Sequence, residues 1–123
     1  MTSLHVAAVL VFLLGLAHSV RGDRFILVRL FRRNDLPKLF GGTRFTTRTL
    51  RFAWHITTVA WWGMAAILWL AGSGDLTERS TLAVIGGSFL TAGLLPLVIT
   101  RGRHLSWLVL FLVGGIALLR AAV

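Results

Sequence analysis

Four long apolar runs separate the charged residues of this chain and leave it few ways to fold. They cover residues 4–20, 52–71, 82–99 and 105–119, the last extending to 122 past Arg120. A helix needs roughly 20 predominantly apolar residues to cross a hydrocarbon core. The second and third runs meet that length. The first is slightly short and carries His5 and His18 near its two ends. The fourth has 15 uninterrupted residues, so its crossing requires Arg120 to snorkel and Trp107 to sit at the opposite interface. The reading is an all-α polytopic membrane protein, a compact bundle of four transmembrane helices in one domain, 1–123. The alternative is three spans with a buried or re-entrant terminal helix.

Composition agrees. Of 123 residues, 56% are apolar and 14% charged, whereas a soluble domain carries about 25% charged residues. A soluble chain of this size has too little interior to hide so much apolar surface. Cysteine is absent, which excludes disulfides, thiolate nucleophiles and cysteine-held metals. Ala17 and Ser19 fit a small-x-small cleavage pattern, but residues 1–4 hold no Lys or Arg. The basic flank of a signal peptide is therefore missing, and the first run is expected to be a retained helix.

The chain has 13 Lys and Arg against 4 Asp and Glu. Nine of those basic residues and two of the acids, Asp23 and Asp35, fall in the connection 21–51, which carries +7 of the net +9. Cytoplasmic connections are enriched in Lys and Arg. The 21–51 connection is thus assigned to the cytoplasm, and alternation places Arg101 and Arg103 on the same side. The connection with Asp75, Glu78 and Arg79 falls on the other. The expected location is a bacterial inner membrane with both termini periplasmic. Membrane orientation accounts for the basic charge, and no nucleic-acid reader or zinc pattern accompanies it, so no nucleic acid is expected as a partner.

Within the connection, Asp23–Arg33 interleaves bulky apolar residues with Arg29, Arg32 and Arg33. This predicts a short basic interfacial helix between spans one and two. Asn34 to Pro37 and Gly41-Gly42 read as breaks, and Thr43 as the N-cap of a long second helix. A helix over 43–71 is about 43 Å long, so its first turns lie outside the hydrocarbon. On it Arg44, Arg48, Arg51 and His55 share one face. Functionally this is a stripe for anionic lipid headgroups; structurally it is a solvated helix start.

His18, His55 and His104 sit at the cytoplasmic ends of three different spans. Together with Asp23 or Asp35, as ligand or ring-orienting carboxylate, they form a candidate metal set. His18 and His55 alone could bracket a haem iron. The plainer reading is a polar contact between helices. No HExxH, Walker loop or GxSxG elbow is present. Size and span count resemble the small multidrug-resistance transporters. The membrane-embedded glutamate of that family has no counterpart here, where Gly15 and leucines fill the region. Small residues at Ala83, Gly87 and Thr91, and at Gly15 and Gly114, are expected to let helices approach closely, within one bundle, a homo-oligomer or a larger complex. Two functions follow. The first is a non-enzymatic binding, scaffold or accessory subunit. The alternative is a metal- or haem-binding protein in electron transfer or lipid modification.

Overall fold

Helix boundaries fall where residues supply a cap or a break. The structure is a computed structural model describing residues 1–123. It contains four helices: α1 Ser3–Leu30, α2 Arg44–Ser73, α3 Glu78–Ile99 and α4 Ser106–Ala122. Thr2 opens α1 through a capping box closed by His5, and Thr77 opens α3 through one closed by Ser80. Gly74, at φ 77°, ends α2, and the Asp75 N–H donates to the Leu70 carbonyl at 2.9 Å. Thr43 precedes α2 as expected, yet its side chain makes no capping bond.

Residues 23–30 do not form a separate interfacial helix. They continue α1 through a π-helical segment, Asp23–Leu27, into a last turn at Val28–Leu30. The run is largely apolar and contains no Gly or Pro to stop it, so the first helix extends until Arg33 and Asp35 close a bidentate pair at 2.8 and 2.6 Å. Arg33 holds the Asp35 carboxyl below the usual carboxylate range.

The helices run alternately up and down, and each packs on its chain neighbours: α1 on α2, α2 on α3, α3 on α4. No substantial interface joins α1 to α3 or α4. The architecture is therefore an open row rather than the compact closed bundle expected from helix count. Short connections enforce contact between chain neighbours, but nothing in them enforces contact between the first helix and the last. Only 15 of 123 residues are buried, so most apolar side chains face outward. Three helices are long and apolar enough to cross a membrane, and α4, at 17 residues, is a shorter apolar helix.

Small residues set the interfaces, but not all the expected ones. Gly86 and Gly114 bring α3 and α4 together so closely that a Cβ on either would lie 2.9 Å from the other's carbonyl oxygen. A Cβ at Gly93 would meet the Phe111 ring at 2.7 Å. The stripe Ala83, Gly87, Thr91 points elsewhere: Ala83 and Thr91 are exposed, and nothing lies within 4 Å of a Cβ on Gly87. The face of α3 packed on α4 is rotated one residue from that stripe, because Gly86 allows backbone contact with Gly114.

Antiparallel succession collects the charges at the two ends. The end formed by 21–51 and the α3–α4 turn holds eleven of the thirteen basic residues and two of the four acids. The remaining charges lie at the end where the termini, Glu78 and Arg120 meet.

Candidate functional site between α1 and α2

Two seven-residue repeats face each other across the α1–α2 interface. On α1 they are Ala8, Gly15 and Gly22, all buried; on α2 they are Thr58, Ala65 and Gly72, the first two buried. A seven-residue repeat keeps one seam of a helix against its partner. The glycines make room for bulky side chains of the opposite helix. A Cβ at Gly22 would run into the Trp54 indole, and one at Gly15 would lie 2.7 Å from Trp62 Nε1.

Into this seam α2 sends donors that reach α1 carbonyls. Trp54 Nε1–H donates to His18 O at 3.0 Å, Thr58 Oγ1–H to Gly15 O at 3.1 Å, and Trp62 Nε1–H to Phe12 O at 3.0 Å. Such carbonyls already accept one helical bond, and the second lone pair takes these. His18 returns a bond: its Nε2–H donates to Trp54 O at 3.2 Å while its ring stacks on the indole, centroids 4.4 Å apart and 3° from parallel.

At the basic end of the seam lies a chain of four polar side chains. Asp23 Oδ2 accepts from His55 Nε2–H at 2.8 Å. His55 Nδ1 lies 2.8 Å from Ser19 Oγ, and Ser19 Oγ lies 2.6 Å from Thr58 Oγ1. Arg51 completes the group, with Nε 3.2 Å from Asp23 Oδ2 and Nη2 donating to Asp23 Oδ1 at 3.3 Å. The sequence builds this from spacing alone. Ser19 and Asp23 are one turn apart on α1, and Arg51, His55 and Thr58 are one turn apart on α2. The π segment begins at Asp23, the residue whose carboxylate reaches α2. π segments in other proteins often mark functional positions.

Proton counting limits how this chain is connected. Four contacts link Asp23, His55, Ser19, Thr58 and the Gly15 carbonyl. A neutral imidazole with two hydroxyls supplies three protons for them. An imidazolium supplies four, each donor then pointing at an acceptor and the positive ring resting on the Asp23 carboxylate. With neutral His55 one of the four contacts is left without a proton.

The expected metal set is not assembled. No group of three or more His, Cys, Asp or Glu side chains comes together. His55 spends both ring nitrogens on Asp23 and Ser19, and His18 turns to Trp54 and Trp61. His104 bonds Ser106 Oγ at 2.9 Å and packs against Phe45 and Phe52. An axial pair at a haem iron would need both His18 and His55 to abandon these contacts. The expected Arg44–Arg48–Arg51 stripe also divides: Arg51 goes to Asp23, whereas Arg48 lies in the field of Arg101, Arg44 and Arg103.

Ser19, Thr58, Trp54 and Gly22 were not legible as site residues, because hydroxyls and indoles are common in apolar helices. The paired heptad spacing of 8, 15, 22 against 58, 65, 72 was the signal that could have found the seam. No family model, curated protein or solved structure matches this chain.

Proposed function

We propose that this protein is a small polytopic integral protein of a bacterial inner membrane, acting as a non-enzymatic binding or accessory subunit whose basic cytoplasmic end engages anionic lipid headgroups. The observation that carries the reading is the outward apolar surface. Leu10, Met64, Leu112 and Leu119, one on each helix from α1 and α2 and two on α4, are 62–70% exposed. An aqueous protein does not leave apolar patches of this extent uncovered, whereas lipid covers them at no cost. The asymmetric ends support cytoplasmic placement of 21–51 and periplasmic termini. The Asp23–His55–Ser19–Thr58 chain then lies at the cytoplasmic edge of the span and locks α1 to α2, so that the basic end keeps one shape.

The protein is expected to stay with membranes through alkaline carbonate extraction. A reporter enzyme active only in the periplasm should work when fused after Val123 and be silent when fused after Asp35. Release by carbonate would overturn the membrane reading; the reverse reporter pattern would overturn the orientation.

One observation favours a second reading. Asp23, His55 and Ser19 make a carboxylate–imidazole–hydroxyl contact in which each member lies 2.8 Å from the next. That order is the arrangement that activates a serine for acyl transfer. In this reading Ser19 reacts with a fluorophosphonate probe, and the label disappears in Ser19→Ala and falls sharply in Asp23→Asn. Unlabelled protein returns the chain to helix packing.

A further inference from the structure

The α3–α4 turn reaches across the basic end and places two arginines beside the start of α2. His104 is the anchor. Its ring lies 4.8 Å from that of Phe52 and 5.9 Å from that of Phe45. Phe45 and Phe52 are seven residues apart, and Arg48 lies between them, within one turn of each. The face of α2 that receives the turn is therefore the face that carries Arg48, with Arg44 beside it. Arg101 and Arg103 flank the anchor within the turn itself.

The turn is held rigidly. Thr100 is fully buried; its hydroxyl donates to Pro96 O at 2.5 Å and accepts from the His104 N–H at 3.0 Å. The Gly102 N–H donates to Leu97 O at 2.8 Å, and Gly102 O accepts from Trp107 Nε1–H at 3.2 Å. Arg101 sits at φ 53°, in the left-handed region that residues with a side chain seldom enter. A charged side chain fixed in that conformation projects from a set backbone rather than from a flexible loop. Strain of this kind is found where a position is put to use.

None of Arg44, Arg48, Arg101 and Arg103 has an acidic partner; the ion pairs of the chain are Arg33–Asp35, Arg51–Asp23 and His55–Asp23. The positive end of the α2 dipole is likewise uncompensated, since the first turn of α2 carries no acidic residue and Thr43 gives it no capping bond. Arg48 lies in the field of Arg101, Arg44 and Arg103, and like charges without a counter-charge repel one another until an anion arrives. Guanidinium forks match phosphate oxygens in pairs.

We propose that Arg44, Arg48, Arg101 and Arg103 form a binding site for a lipid headgroup carrying two phosphates, with α2 and the α3–α4 turn each contributing two arginines. One phosphodiester would leave most of the four charges unbalanced; a headgroup with two spans both pairs. The site rests on the membrane reading above, and it differs from the stripe along α2 alone, because Arg51 is spent on Asp23.

Native mass spectrometry of the full chain in mild detergent tests the site against four probes: cardiolipin, phosphatidylglycerol, phosphatidylcholine and free pyrophosphate. Cardiolipin should be retained as one tightly bound molecule, above phosphatidylglycerol, with phosphatidylcholine lost. Each arginine near an anionic surface contributes about fivefold, so Arg48→Gln with Arg101→Gln should lower cardiolipin retention roughly thirty-fold. The control pair Arg79→Gln with Arg120→Gln removes the same charge from the opposite end of the protein and should leave retention within about twofold. All these residues are on the surface side of their elements, and helical circular dichroism checks that each variant is folded. Equal loss in both pairs would make the effect one of net charge and overturn the site. Equal retention of cardiolipin and phosphatidylglycerol would overturn the two-phosphate assignment. Pyrophosphate binding without lipid retention would assign the site to a soluble anion and overturn the lipid. Carbonate-resistant insertion in vesicles, measured alongside, separates these failures from failure of the membrane reading itself.

Discussion

Gly86→Leu separates α3 from α4, whereas Gly87→Leu, one residue later, leaves the protein folded. That is the expected result, and the contrast comes from what a Cβ meets. At Gly86 it would lie 2.6 Å from Leu118 Cγ and 2.9 Å from the Gly114 carbonyl oxygen. Leu118 can rotate, but a carbonyl in the middle of α4 cannot move without the helix. At Gly87 a Cβ meets nothing within 4 Å. Overpacking of a tight contact costs about 3 kcal/mol when backbone must shift, which lowers the melting temperature of a chain of this size by roughly 10 °C. Thermal unfolding in detergent, followed by tryptophan fluorescence, measures both variants. If Gly87→Leu melts as early as Gly86→Leu, the outward stripe is itself covered, and a second copy of the chain becomes the partner to look for.

Asp23→Ala should loosen the α1–α2 seam in a way that depends on His55. Removing the carboxylate leaves the His55 Nε2–H without an acceptor and Arg51 without its only acid. Arg51 Nε is already buried without a well-aligned hydrogen bond, so Asp23 is its remaining compensation. Loss of one partner from a buried ion pair costs about 3–5 kcal/mol. The Asp23 and Arg51 side chains are 28% and 40% exposed, so water screens part of this and about 2 kcal/mol is expected. His55→Ala should cost a similar amount, since it also leaves Ser19 and Thr58 to share their protons without the ring. The double variant should cost about 1 kcal/mol less than the two added together, the usual scale of coupling between contacting residues. Denaturant unfolding in mixed micelles provides the three values. Strict additivity would mean that Asp23 and His55 stabilise the protein independently and that the chain of contacts carries no joint energy.

Asp23→Asn serves as a finer probe of the same site. The amide oxygen can still accept from His55 Nε2–H, but the charge opposite Arg51 is gone. A loss close to that of Asp23→Ala would place the stabilisation in the ion pair; a loss near zero would place it in the hydrogen bond.

The four helices and their approximate limits were readable because apolar length and caps act locally. The breaks at Asn34–Pro37 and Gly41-Gly42, and the basic flank before Phe52, each report their own position without reference to any other helix. The unequal charge of the two ends follows from the same local facts plus alternation. That Asp23 could orient a histidine ring was readable, but which ring it meets, and how its carboxylate reaches it, was not. It lies in a stretch that reads as the start of a separate basic helix, and only the continuation of α1 through the π segment carries its carboxylate to His55. The same holds for Gly86 and Gly87. Both are glycine in an apolar helix, and the difference between them is a rotation of 100° about the axis, which has meaning only once α4 is in place. Arg48 and Arg51 likewise share a face of α2, yet Arg51 pairs with Asp23 whereas Arg48 lies in the field of Arg101 and Arg103. Hydrophobic length is a property of a segment, whereas contact is a property of a pair, and the chain's pairs are chosen by packing between helices that the local pattern does not describe.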